Sequence, residues 1–340
     1  MAVLLLIAVL FIVFAMLRLS GIDGNRYTAC ALALTPYGVV GGVVLGGLAV
    51  AVGQRWTGGI VLASAVVLAA RVLPRAIPSA RPRVAGCRLR VMSSNLYLGR
   101  GDVKTVVQLV REHQVDVLNL LELTADAAED FARAGLFDLL PHRVLRPADG
   151  GAGSGVVSRY PLVELALAGP SRLAQPSARV DLGGVGVEVV AVHPVPPTDS
   201  AAVWKAEMAG LPGPVADGPV RVLAGDFNAT ADHGTFRRLL RAGYVDVGER
   251  CGAGLVATWP SRMFPLLVTL DHVLVDDRAT VTAYRVFDVP YSDHKAVYAE
   301  LVVPEEITSV GNAREAAADL LTREEGMATR LADEDRSGPA

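Results

Sequence analysis

The sequence predicts an α/β fold, a layered sandwich of two β-sheets with outer helices, preceded by an N-terminal transmembrane helical region. Three observations carry this expectation. The chain is mostly apolar up to residue 83. From Cys87 onward, short β-rich runs alternate with helical patterns. Polar side chains recur at the ends of those runs, where α/β folds assemble their sites.

The apolar region comes first. Of 340 residues 51% are hydrophobic and mean hydropathy is +0.38, but the excess is not evenly spread. Ala2 to Leu17 is uninterrupted apolar sequence, Tyr27 to Gly53 has no charge, and Trp56 to Ala70 is again uncharged. Crossing a bilayer takes about 20 residues, so the middle segment qualifies outright. The outer two qualify if Arg18 and Arg71 snorkel. A signal peptide is the other reading of the first segment; the lack of a basic start and the two apolar segments that follow favour a span. Three spans within residues 1–73 are expected. Gly41, Gly42, Gly46 and Gly47 should give the middle helix a small-residue packing face.

Residues 74–86 follow as a linker. The stretch from Arg71 to Gly86 is rich in Pro and Arg, and is expected to be extended and non-helical. The globular part spans 87–303. Strands are predicted at Cys87–Asn95, Val115–Glu122, Ser154–Tyr160, Ala178–Leu182, Val185–His193, Val220–Asn228, Val268–Asp276, Thr280–Phe287 and Lys295–Val303. Helices are predicted behind Asp102 as N-cap, after Thr124, and around Ala201–Ala209. Residues 304–340 form an acidic, Ala-rich tail, read as a loose helix or disordered. The cysteines, Cys30, Cys87 and Cys251, form no C-x-x-C motif and read as isolated thiols.

Charge bears on partners. The first 83 residues hold seven of the 32 Lys/Arg and one of the 35 acids, which leaves a net charge of −9 on the remainder. That surface is poor for gripping nucleic acid.

Asn95 ends the first strand, Glu122 the second and His193 the fifth. Asp226 and Asn228 close the sixth, Asp271 and His272 interrupt the next, and Ser292, Asp293 and His294 precede the last. A single carboxylate after a strand usually caps a helix or turn. So many polar residues on core strands point to one site. His113, His142, His233 and His272 read as structural or surface residues. Asp102, Asp116, Asp246, Asp276 and Asp277 read as caps, turns and solvated loops.

The blocks "SSNLYLG", "VDVLNLLE", "SGVVSRYPL", "VVAVHPVPP", "LAGDFNAT", "TLDHVLV" and "YSDHKAV" resemble, in order, those of the endonuclease/exonuclease/phosphatase (DNase I-like) superfamily. The resemblance runs from about Arg88 to Val303. It implies a four-layer α/β sandwich and Mg²⁺-dependent hydrolysis of phosphoester or phosphoanhydride bonds, with Mn²⁺ as a substitute ion. Glu122 would be the principal Mg²⁺ ligand, with Asn95 orienting metal or phosphate and Asp293 completing the shell. Asp226 would activate water and Asn228 would donate to a phosphoryl oxygen. His294 would contact the scissile phosphate, its tautomer fixed by Asp271, and His193 would hold a second phosphate oxygen. No carboxylate partner for His193 can be picked from the sequence.

The superfamily does not choose the substrate. Residues Thr258–His272 set Trp259, Met263, Phe264, Leu266 and Leu267 just before Asp271, as a packed core strand or as an apolar rim facing lipid; Arg262 there could meet a second phosphate. The plan of three spans before such a domain is similar to the VanJ-type membrane proteins of actinobacteria. That resemblance implies a lipid pyrophosphate substrate, undecaprenyl pyrophosphate-like, and a part in glycopeptide (teicoplanin-type) resistance. The expected partners are the lipid bilayer and a phosphorylated lipid. A membrane-tethered nuclease and a non-catalytic binding domain are the competing readings. The Arg distribution favours a cytoplasmic catalytic domain, whereas the resemblance implies an extracytoplasmic one, which we adopt because long domains cross despite flanking charge.

Overall fold

A computed structural model describes residues 2–79, 84–261 and 267–305. The tail from 306, part of the Pro/Arg linker, and Arg262, Met263, Phe264 and Leu266 of the apolar rim lie outside the described residues.

Helix α1 (Ala2–Ser20), α2 (Arg26–Ala33), α3 (Thr35–Ala51) and α4 (Arg55–Val72) form the N-terminal region. α1 and the stretch Arg55–Ala76 are long and apolar enough to cross a membrane, and α2 with α3 would add a third span only as a bent pair. This corrects the expectation of a continuous middle helix. The two helices meet at 70°. The break follows from local chemistry: Pro36 has no N–H to donate to the Leu32 carbonyl and its ring crowds that carbonyl, so the first helix stops at Leu34 and a new one starts at Thr35. Asn25 caps α2 by accepting from the Tyr27 and Thr28 amides. The expected glycine face is also divided. A methyl group on Gly42 would strike the Phe11 ring and one on Gly46 would strike Leu62, whereas Gly41 and Gly47 meet nothing. Residues four apart share a helix face, so Gly42 and Gly46 pack while their neighbours point outward.

The linker differs from expectation as well. α4 continues through Val72 and a 3₁₀ turn, Leu73–Ala76, follows. Pro74 falls in the first turn of that element, where its missing N–H costs nothing.

Two six-stranded sheets follow. The first comprises β1 (Gly86–Asn95), β2 (Val117–Leu121), β3 (His142–Arg146), β4 (Ser154–Ser158), β11 (Thr280–Asp288) and β12 (Lys295–Pro304), ordered β11-β12-β1-β2-β4-β3. The second comprises β5 (Leu162–Leu165), β6 (Ser177–Asp181), β7 (Gly186–Val192), β8 (Val220–Asp226), β9 (Tyr244–Asp246) and β10 (Asp271–Asp276), ordered β5-β6-β7-β8-β10-β9. Helices α5 (Val103–Glu112), α6 (Ala125–Arg133) and α7 (Leu136–Leu139) cover the first sheet; α8 (Pro197–Ala209) and α9 (Gly234–Arg241) cover the second. A short α10 (Val247–Arg250) follows β9. Each sheet carries one parallel pair, β1/β2 and β7/β8, joined through α5 and α8. The four layers are therefore helix, sheet, sheet, helix, as the resemblance implied. Asp102 and Thr124 cap α5 and α6 as expected.

The inter-sheet core is almost wholly Val, Leu and Ala, including Val91, Leu121, Val189 and Val222. Asn119 breaks it. Its amide donates across the sheets to the carbonyls of Val190 (3.1 Å) and Ala224 (2.8 Å).

A second buried polar group joins the helical region to the sandwich. Asp232, between β8 and α9, accepts from Arg18 at the end of α1 and from both terminal nitrogens of Arg75 (2.7 and 2.8 Å). Asp23 accepts from the Thr235 amide at the start of α9 (2.7 Å). The Tyr37 hydroxyl both donates to the Leu267 carbonyl and accepts from its amide.

Asn119→Ala should lower stability by about 1–3 kcal/mol, because it removes one side of two buried hydrogen bonds. Denaturant unfolding in detergent measures this; an unchanged midpoint would show that the staple contributes nothing.

Candidate active site

Parallel strands and short connections deliver the polar side chains to one rim. Asn95 is the last residue of β1 and Glu122 follows β2. His193 follows β7, Asp226 ends β8, and Asp271 opens β10, where the antiparallel register sets it opposite Asp226. His294 immediately precedes β12. Five non-glycine residues in these connections, Tyr97, Leu98, Glu122, Asn228 and Tyr291, have positive φ. Such backbone costs roughly 1–3 kcal/mol per residue and is kept where surrounding structure imposes it.

The structure links five of the eight predicted side chains, Asn95, Glu122, Asp226, Asp271 and His294, into one network and sets His193 and Asn228 beside it. The Asn95 amide nitrogen donates to Glu122 Oε1 (3.1 Å) and lies 3.4 Å from Asp226 Oδ2. The other Glu122 oxygen accepts from the Leu98 amide at 2.7 Å. His294 Nδ1 is 2.9 Å from Asp271 Oδ2, and its Nε2 is 3.6 Å from Asp226 Oδ2. His193 Nε2 sits 3.9 Å from Glu122 Oε1, too far for a hydrogen bond, and its Nδ1 is buried without a partner. The Asn228 amide N–H donates to Asp226 Oδ1, and its side chain donates to the Pro194 carbonyl. Asp293 stands apart: Oδ2 accepts from the Trp259 indole (3.1 Å), and Oδ1 has no partner.

Sequence reasoning missed several supports. Thr258 Oγ1 accepts from the Asp271 amide. Ser292 Oγ donates to the Asn95 carbonyl and accepts from the His294 amide, tying the two ends of the first sheet's rim. His233, read as structural or surface, lines the cavity, with Nε2 3.0 Å from the Ala29 carbonyl of α2. Hydroxyls in loops leave no pattern, and the α2 contact spans 204 residues of sequence. His272 is structural, as expected, held by Asp246 at 2.7 Å; Asp246 is thereby a buried ion-pair partner as well as the cap of α10.

Electrostatics separates the three central groups. Burial pushes the Asp226 carboxyl up to about 7, against the pull of His294. Burial alone would lower His294, but the Asp271 and Asp226 carboxylates outweigh it and raise the imidazole to about 10. Burial, assisted by the charge on His294, lowers His193 to about 4. The site thus holds one imidazolium and one neutral imidazole at pH 7.

These side chains open into a cavity of about 560 Å³. One wall is apolar, with Leu98, Leu173, Val195, Val268 and Leu270; α2 supplies Ala29, Cys30 and Ala33. Among the described residues no Lys or Arg lines it, while Glu122, Asp149, Asp199 and Asp226 do. Three carboxylates, Glu122, Asp226 and Asp271, gather around a single imidazolium, a charge deficit that a divalent cation fits. Oxygen atoms of Asp226 and Asp271 and a ring nitrogen of His294 come within 4.8 Å of one another, close enough to share an ion. The tight Asp271–His294 hydrogen bond already engages two of that trio, so the oxygens of Glu122 and Asp226 flanking Asn95 are the more open donor set. All three cysteines are free, as expected.

A profile of the endonuclease/exonuclease/phosphatase family matches residues 92–294. The chain belongs to that family. Among solved structures it is similar to an endonuclease/exonuclease/phosphatase from Beutenbergia cavernae DSM 12333, at 19% identity over 64% of this chain and 72% of that one, TM-score 0.49. It is similar to a family protein from Leptotrichia buccalis C-1013-b, at 14% identity over 63% and 99%, TM-score 0.50. It is also similar to an AP endonuclease from Archaeoglobus fulgidus, at 17% identity over 62% and 98%, TM-score 0.50. A search of curated proteins found no match. At these identities the latter two structures, with TM-scores of 0.50, show the fold alone.

Asp271→Asn should release the His294 proton at lower pH, since it removes the first of the charges that outweigh burial. Imidazole nitrogen shifts in metal-free protein read this directly. His294 should be protonated at pH 7 in the native chain and neutral in the variant; a proton retained in both would show that Asp271 does not hold it.

Proposed function

We propose that the protein is a membrane-seated, divalent-metal-dependent phosphohydrolase, acting on a phosphorylated lipid of the undecaprenyl pyrophosphate kind. The observation that carries the substrate choice is the cavity itself. Its catalytic rim adjoins an apolar wall completed by α2, from the helical region. A substrate with a charged head and an apolar tail meets both surfaces. A nucleic acid would need a cationic groove, and no cation lines the cavity among the described residues. A part in glycopeptide resistance would follow from turnover of such a carrier lipid.

α1 and α4 with its 3₁₀ extension are read as spans, and α3, turned 70° from α2, as the third. α2 would lie at the bilayer surface, between the bundle and the active site. Trp259, 36% exposed, and Val268 line the cavity, and Leu267 is pinned to Tyr37 of α3.

Glu122 and Asn95, with Asp226 beside them, would hold Mg²⁺, which supplies charge neutralisation and polarisation of the phosphoryl oxygen when bound. The chain's own groups then divide the proton work. Asp226, raised towards neutrality, accepts a proton from the attacking water. His294, fixed by Asp271 and carrying its proton, stabilises the phosphoryl oxygens. His193, uncharged and with Nδ1 unpartnered, is placed to hydrogen-bond a second phosphate oxygen. Asn228 orients through its Pro194 bond and offers its remaining amide hydrogen. Asp293 is read as supporting the metal shell from beside Trp259.

Purified protein with Mg²⁺ should release phosphate from undecaprenyl pyrophosphate and leave plasmid DNA intact. Nicking without lipid turnover would establish the tethered nuclease instead. Glu122→Gln should lower turnover by more than about a thousandfold while the fold survives, because a metal-dependent step depends on several kcal/mol of charge stabilisation. Full activity in that variant would overturn the metal assignment.

We also place the catalytic domain outside the cytoplasm. Alkaline phosphatase fused at the C-terminus should then be active in cells; an inactive fusion at normal expression puts the domain inside.

A further inference from the structure

A second cavity, of about 720 Å³, lies where the ends of α1 and α4 meet α9 and α10. Six arginines line it: Arg18, Arg71, Arg75, Arg237, Arg241 and Arg250. The acids there are already engaged. Asp232, behind the wall, takes Arg18 and Arg75; Glu249 takes Arg75 at 3.3 Å; Asp246 takes His272. Among the described residues Arg237 donates only to the Asp232 backbone carbonyl, and Arg241 only to that of Arg237. Arg71 has neither a hydrogen bond nor an ion pair among the described residues. Carbonyls satisfy N–H geometry but supply no countercharge, so among the described residues Arg71 and Arg241 pair with no acid, and Arg237 feels only the Asp232 carboxylate that Arg18 and Arg75 already share. Burial first, then the charges of Arg18, Arg241 and Arg75, depresses Arg237 to about 10 against the pull of Asp232.

The apolar surroundings say what kind of anion fits. Leu19 and Ile77 line the same cavity. Apolar side chains stand exposed on the adjoining helices, Leu19 of α1 by 49% and Val66 of α4 by 65%, and Ile77, just past the 3₁₀ turn, by 63%. The cleft therefore joins a cationic floor to an unpartnered apolar flank on the same helices.

We infer that this arginine cleft is a binding site for the phosphate headgroup of an anionic glycerophospholipid, its acyl chains lying along α1 and α4. The inference rests on the proposed membrane seating. Guanidinium groups engage phosphate oxygens by paired hydrogen bonds, and a basic pocket beside spans is suited to such headgroups. Asp232 and His233 are consecutive. Arg18 and Arg75, gripped by Asp232, line the lipid cleft, while His233 lines the catalytic cavity. A bound headgroup would hold the domain at fixed height over the bilayer, with the active-site mouth beside α2.

The test uses the full chain in nanodiscs of phosphatidylcholine with graded phosphatidylglycerol, with retained lipid counted by native mass spectrometry. The native protein should retain phosphatidylglycerol at least about tenfold over phosphatidylcholine, and Arg237→Gln with Arg241→Gln should abolish that preference. Arg238→Gln, outside the cleft, should leave it intact. Arg237→Lys with Arg241→Lys should restore most of it, since the charge persists; loss in both double variants would mean a structural role and overturn the inference. Equal retention of the two lipids would overturn it as well. Displacement of the lipid by millimolar inorganic phosphate would show a small-anion site and refute the lipid assignment. Membrane seating is read separately by carbonate extraction: a chain washed from membranes fails the proposed function, and one that stays without lipid preference fails this inference alone.

Discussion

Everything at the active site depends on how two stacked sheets are held in register, and Asn119 sets that register. Apolar packing between sheets is non-directional, so Val and Leu alone would tolerate sliding. Asn119 hydrogen-bonds the backbone of both β7 and β8, at Val190 and Ala224. Glu122 follows Asn119 by three residues, His193 follows Val190 by three, and Asp226 follows Ala224 by two. The staple therefore lies directly beneath the side chains it positions. A displacement of one ångström there would separate Asn95 and Glu122 from Asp226 and dissolve the shared corner.

The same seam explains the charge arrangement. Glu122 and Asn95 come from the first sheet, and Asp226 and Asp271 from the second. His294 belongs to the first sheet but sits between the two carboxylates of the second. Each sheet alone would carry buried charge without compensation, at a cost of several kcal/mol per ion. Stacking brings the imidazolium to the carboxylates, yet still leaves more negative charge than positive. That residual charge is what makes the site receptive to a cation; burial raises Asp226 to about 7, and the carboxylates of Asp271 and Asp226 raise His294 to about 10.

Much of this was legible before the structure. The strand-ending positions of Asn95, Glu122, His193, Asp226 and Asp271 stand out because each interrupts an apolar run. Long-range partners were not legible. Asn119 is one polar letter inside "VDVLNLLE", and its acceptors lie 71 and 105 residues away. β3, β5 and β9 were missed because edge strands of three to five residues carry too little alternation to register. The middle apolar segment misled for a related reason. Hydropathy counts charge and length, but the turn at Leu34 that Pro36 imposes is a local backbone constraint. The absence of charge from Tyr27 to Gly53 therefore described two helices with different surroundings.

That turn changes how the N-terminal region bears on the catalytic domain. A continuous span would leave the domain on a flexible stalk, free to tilt. Instead α2 lies against the sandwich, its Ala29 carbonyl meets His233, and Asp232 grips the ends of α1 and α4 together. Removing both arginines would strand a buried carboxylate, and removing either loosens its grip, so the junction resists partial opening. The consequence is geometric. The cavity wall from α2 and the arginine cleft are separated by only two consecutive residues, and whatever sets the height of the helices also sets the position of the cavity mouth. A freely tethered hydrolase would depend on local concentration alone, whereas here the orientation of the catalytic rim is built into the packing of the helices.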